Sequence, residues 1–64
     1  MTETYWKHRF VQALLTVIHR KTGLAHQRCF DLARLEADAF WRHFNSYESP
    51  EAAADQAFVQ MCAS

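Results

Sequence analysis

The sequence predicts an all-α fold: a compact three-helix domain in which a long antiparallel helical hairpin is joined by a short, capped C-terminal helix. Three observations carry this. Half of the 64 residues are apolar, enough to build a core. One glycine and one proline cannot supply the tight turns that an all-β chain of this length needs. Apolar residues recur at helical spacing in three separate stretches. The chain makes one domain, residues 1–64. A domain of this size buries only about 60% of the surface its unfolded form exposes, so marginal stability is expected.

The first helix is expected over about residues 3–21, ending at Gly23, a residue suited to a left-handed cap. At about 100° per residue, Trp6, Phe10, Ala13, Leu14, Val17 and Ile18 share one side. His8, Arg9, Gln12, Thr16, His19 and Arg20 share the other, while Tyr5 and Leu15 fall outside the apolar arc.

The second helix is expected over about residues 24–44. Asp31, Arg34, Asp38 and Arg42 form a ladder of alternating sign that marks its solvent face. Opposite lie Cys29, Ala33, Ala37, Phe40 and Phe44, with Phe30 and Trp41 on one shoulder and Leu32 and Ala39 on the other. An apolar arc this wide calls for two neighbours. Glu36 is the one carboxylate of this helix angled toward its buried side, where Lys7 or His43 is its expected partner.

The third helix, about residues 50–62, has the clearest boundary. Ser49 caps it, Pro50 takes the first helical position with φ preset, and Glu51 sits in the first turn. Ala54, Ala57, Phe58, Met61 and Cys62 are its expected buried stripe.

Charge is balanced overall but not along the chain. Residues 1–30 hold five basic side chains (Lys7, Arg9, Arg20, Lys21, Arg28) and one acidic (Glu3), a net +4. Residues 31–64 hold Arg34 and Arg42 against Asp31, Glu36, Asp38, Glu48, Glu51 and Asp55, a net −4. Either the halves complement each other, within one chain or between two copies, or the division marks an electrostatic binding face.

Several chemistries are disfavoured. Cys29 and Cys62 are too few for a disulfide scaffold and are expected reduced. The longest apolar run, Ala13-Leu14-Leu15, is far short of a bilayer span, and Met1 to Trp6 do not resemble a secretion signal. A cytoplasmic protein without membrane contact is expected. His26 and Cys29 lack the second close pair that a zinc site needs, so no metal, cofactor or small-molecule substrate is expected. With both cysteines on apolar faces and helices using most of the chain, no catalytic residue is assigned and no enzyme is expected.

Binding remains. Phe40, Trp41, Phe44 and Tyr47 place four of the nine aromatic residues in eight positions, more apolar bulk than one helix face can hide. The expected function is a small non-catalytic interaction module that modulates a partner protein, or binds a second copy as a homodimer. Trp41, Phe44 and Tyr47 are its expected apolar anchors, with Leu35 and Arg42 at the rim. The alternative is a helix-turn-helix-like DNA-binding regulator, in which the helix after Gly23 presents His26, Gln27 and Arg28 to the major groove.

Overall fold

Three helices form where the patterning places them: α1 over Glu3–Thr22, α2 over His26–Phe44 and α3 over Pro50–Ala63. They belong to a computed structural model that describes residues 2–44 and 48–63. The ends of each helix follow from local chemistry. Thr2, in an extended conformation, accepts a hydrogen bond from the Tyr5 amide through Oγ1 at 3.2 Å. At the other end of α1, Gly23 adopts φ 75° and its amide donates to the His19 carbonyl at 2.9 Å. A Cβ built on Gly23 would meet nothing within 4 Å, so glycine is required here for its φ and not for space.

α2 begins two residues later than the periodicity suggests, because the corner itself uses Leu24. The Leu24 amide donates to Thr22 Oγ1 at 3.2 Å, and its carbonyl lies 2.7 Å from His19 Nδ1. A carbonyl can only accept, so Nδ1 carries the hydrogen. α3 starts as expected: Ser49 Oγ accepts from the Ala52 amide at 3.1 Å, and Pro50 follows as the first helical residue.

α1 is the central element. Both other helices lie against it, and they meet each other at only a few points. Its buried row Trp6, Phe10, Leu14 and Ile18 repeats every fourth residue and is at most 2% exposed; each such side chain stabilises the fold by about 1.5–3 kcal/mol. α2 runs antiparallel to α1, since Trp6 meets Trp41 near one end of the hairpin and His19 meets His26 at the other. Trp6 stacks on Phe10 at 5.4 Å, and Phe10 stacks on Phe40 at the same distance. Around these large rings, the other helices contribute mostly small residues: Cys29, Ala33 and Ala37 from α2, and Ala53, Ala54 and Ala57 from α3. The indole nitrogen of Trp6 also donates to the Glu48 carbonyl at 3.0 Å, tying the entry of α3 to the start of α1.

Several expected placements are corrected. Cys62 is exposed and not part of the α3 stripe, which is centred on Pro50, Ala53, Ala54 and Ala57; Phe58 and Met61 flank it, half-buried. The stripe turns toward Ala53 because α3 packs its smallest side chains against α1. Val11 is buried, whereas Ala13 and Val17 are only partly covered, and Leu15, expected outside the arc, packs against the core. The buried face of α1 is thus turned toward α2. Phe44 is half-buried, being the last residue of α2 and at the edge of the core. Both cysteines are free.

The two charge halves do meet inside one chain. Lys7 pairs with Asp38 as well as with Glu3 one turn before it. Glu36, expected to face Lys7 or His43, forms an ion pair with neither; Lys7 is taken by Asp38, which stays exposed as the ladder placed it. Arg9, also assigned to solvent, makes a two-pronged contact with Glu51 at 2.7 and 3.0 Å, the geometry that suits a guanidinium best.

The Lys7–Asp38 pair gives the protein a pH dependence with a definite sign. The hydrogen bond from Lys7, and then its positive charge, hold the Asp38 carboxyl below its ordinary value. That contribution is present above the ordinary aspartate range and is lost as pH falls through the lowered value. Hydrogen bonds to Asp38 and Glu3 hold the Lys7 ammonium above its ordinary value. Its contribution is present below the ordinary lysine range and is lost as pH rises through the raised value. In thermal melts across pH, Asp38→Asn is expected to lower the melting temperature at neutral pH and to converge with wild type as pH falls through the lowered Asp38 value. A constant difference between the two proteins down past that value would show that the ion pair does not contribute.

Candidate protein-binding surface

The residues expected to bind a partner fall into two groups on α2. Positions advance about 100° per residue along a helix, so Trp41 and Phe44 lie about 60° apart and share a flank. Leu35 and Arg42, seven residues apart, share the outer face about 20° from one another by the same geometry. Leu35 and Phe44 lie on opposite sides of the helix, so the five residues do not form one continuous patch. Tyr47 lies outside the described residues.

Trp41 is half-buried, its ring tilted over Trp6 with centroids 5.5 Å apart. Phe44 leans on Phe40 at 5.8 Å and takes the edge of His43 at 4.7 Å. Leu35 is 75% exposed, the most exposed large apolar residue among those described. It sits in the charged ladder beside Asp31, Arg34 and Asp38, and Arg42 is exposed below it.

A groove between α1 and α2 runs along the same flank as Trp41. Val11, Phe30 and Ala37 form its floor, and Lys7, Arg34 and Asp38 its rim. Phe30, Arg34, Ala37 and Trp41 follow one another at i, i+4, i+7 and i+11, so the α2 wall is one helical stripe. The Arg34 guanidinium lies 5.7 Å from the centre of the Phe30 ring, within reach of a cation–π attraction. Sequence reasoning placed Phe30 on the shoulder with Trp41 but did not connect it with Arg34. The i, i+4 spacing was the available signal.

The physical cause of this surface lies in how α2 packs. It turns Cys29, Ala33 and Ala37 into the core together with a single large residue, Phe40. Its remaining bulky side chains stay at the shoulders or outside: Phe30, Trp41 and Phe44 half-covered, Leu35 almost uncovered.

His26, Gln27 and Arg28 are all exposed in the first turn of α2. The Gln27 amide donates to Asp31 Oδ1 at 3.2 Å, and the His26 ring lies tilted against His19 with centroids 4.0 Å apart. Among the described residues, no group of three or more His, Cys, Asp or Glu side chains is arranged to hold a metal ion. No helix is long and apolar enough to cross a membrane among those residues.

Fold and surface together define a small all-helical protein, with α2 and α3 packed against a central α1 and a half-covered apolar flank on α2. Compared with known protein families, curated proteins and solved structures, the chain matches none.

Proposed function

We propose that this protein is a non-catalytic interaction module that associates through α2, with a second copy of itself as the expected partner, in the cytoplasm. One observation supports the reading above the others: α2 buries Ala33 and Ala37 and leaves Leu35 75% exposed, with Phe30, Trp41 and Phe44 only half-covered. Large apolar side chains flanked by arginine are the residue types that anchor interfaces. A two-fold dimer through the outer face of α2 covers Leu35 on both copies at once. Occupying a surface in this way needs no catalytic group, and a protein acting so would serve as a modulator.

Light scattering over a range of concentrations tests this, with Leu35→Lys as the informative variant. Trp41 is a poorer choice because it packs on Trp6 and its removal would disturb the core. Wild type is expected to dimerise, and Leu35→Lys to weaken dimerisation by about tenfold or more, the equivalent of about 1.4 kcal/mol, with an unchanged circular dichroism spectrum. A protein that remains monomeric up to about 1 mM, where only about 4 kcal/mol of association would be needed, overturns self-association.

The DNA-binding reading draws its support from the exposure of His26, Gln27 and Arg28. Against it, α2 lies along α1 over the length of the hairpin, from His26 beside His19 to Trp41 beside Trp6. A reading helix instead projects from its supporting helix into the groove.

A further inference from the structure

We propose that the corner between α1 and α2 is a docking point for an acidic protein segment, so that a partner of this module presents clustered carboxylates. The proposal rests on the reading of the chain as a binding module but concerns a different surface from Leu35.

The fold sorts the basic residues of the first half into two sets. Lys7 and Arg9 cross to carboxylates of the second half. Arg20, Lys21 and Arg28 are exposed and pair with no carboxylate among the described residues. All three flank the corner, Arg20 and Lys21 in the last turn of α1 and Arg28 in the first turn of α2, and the His19 and His26 rings meet across it.

Arg20 and Lys21 are where the dipole of α1 favours cations, but Arg28 is where the dipole of α2 disfavours one. The first turn of α2 contains no acidic residue to offset it. Asp31, one turn further on, is engaged by Gln27, and a cation at a helix start with no carboxylate in that turn points outward, to something that supplies the missing charge.

The corner is also held firmly. Thr22 Oγ1 donates to the Ile18 carbonyl at 2.7 Å, His19 Nδ1 donates to the Leu24 carbonyl, and the Cys29 thiol reaches that same carbonyl at 3.5 Å. Cations mounted on a fixed backbone lose little freedom on binding.

The ligand chemistry is narrowed by what surrounds the corner. Residues 19–28 contain no Phe, Tyr or Trp on which a base could stack. Three arginine and lysine side chains are also fewer than the roughly 6–10 phosphate contacts typical of DNA-binding proteins. A short run of glutamates or aspartates fits: each arginine can take a carboxylate with two parallel hydrogen bonds.

The test is an amide chemical-shift titration of the whole protein with an octaglutamate peptide at low salt, run in parallel with an octathymidylate of similar charge. Octaglutamate is expected to shift amides within residues 19–28 and to bind at least about tenfold more weakly at about 0.5 M salt. The triple variant R20E/K21E/R28E is expected to lose the response, and Lys21→Glu alone to weaken it should the triple variant fail to fold. Leu35→Lys is expected to bind the peptide as wild type does, so failure of the dimer and failure of this site are told apart. No shift at about 1 mM peptide, shifts centred outside the corner, or tighter binding of octathymidylate than of octaglutamate overturns the proposal.

Discussion

Trp6→Ala is expected to abolish cooperative unfolding. Trp6 is fully buried, stacks on Phe10, supports Trp41 and donates to the carbonyl that precedes α3. Truncating a buried tryptophan costs about 3–5 kcal/mol, while a domain of this length has about 3–10 kcal/mol in all. The two are of the same size. Urea denaturation followed by circular dichroism is expected to show a broad, early transition or none. Trp6→Phe is the milder change, since it keeps a six-membered ring in the core while removing the donor to Glu48 and the pyrrole part of the indole; its expected loss is about 1–3 kcal/mol. A Trp6→Ala protein within about 1 kcal/mol of wild type would show that Trp6 does not organise the core.

Ala57→Leu carries the second large effect, through the opposite defect. Ala57 is 1% exposed and lies with Ala53 and Ala54 on the face of α3 that meets the core. Leucine is nearly as good a helix former as alanine, so any loss arises from packing. Added bulk must push α3 away from α1 or force side chains off their rotamers, at about 1–3 kcal/mol. The expected result is a lower denaturation midpoint, with Val59→Ala, at a 65% exposed position of the same helix, within about 0.5 kcal/mol of wild type. An Ala57→Leu protein as stable as wild type would mean that α3 is not closely packed.

Much of the fold was legible because it depends on local signals. Ser49-Pro50 starts α3, Gly23 ends α1, and the spacing of Trp6, Phe10, Leu14 and Ile18 marks the central buried row. These features use neighbours within a turn or two, where the rules of capping and periodicity act. Less of the candidate surface was legible. Leu35 was placed at the rim of the expected surface, and it is the most exposed large apolar residue among those described. Its separation from Phe44 by half a turn of helix was implicit in their spacing. That Trp41 leans on Trp6, and that Phe30 and Arg34 extend its flank into a groove, required the position of α1.

The chain by itself determined three helices, their caps and the apolar faces that draw them together, because backbone hydrogen bonding and side-chain period are settled within each segment. Only the tertiary structure decided which way each face turns. It buried Val11 and exposed Cys62, matched Lys7 with Asp38 and Arg9 with Glu51, and left Arg20, Lys21 and Arg28 at the corner without a carboxylate partner among the described residues. The physical reason is that a helix can rotate about its axis by tens of degrees with little change in its own energy. Contacts with its neighbours select the rotation, and those neighbours lie up to 42 residues away in the chain, as Trp6 and Glu48 do.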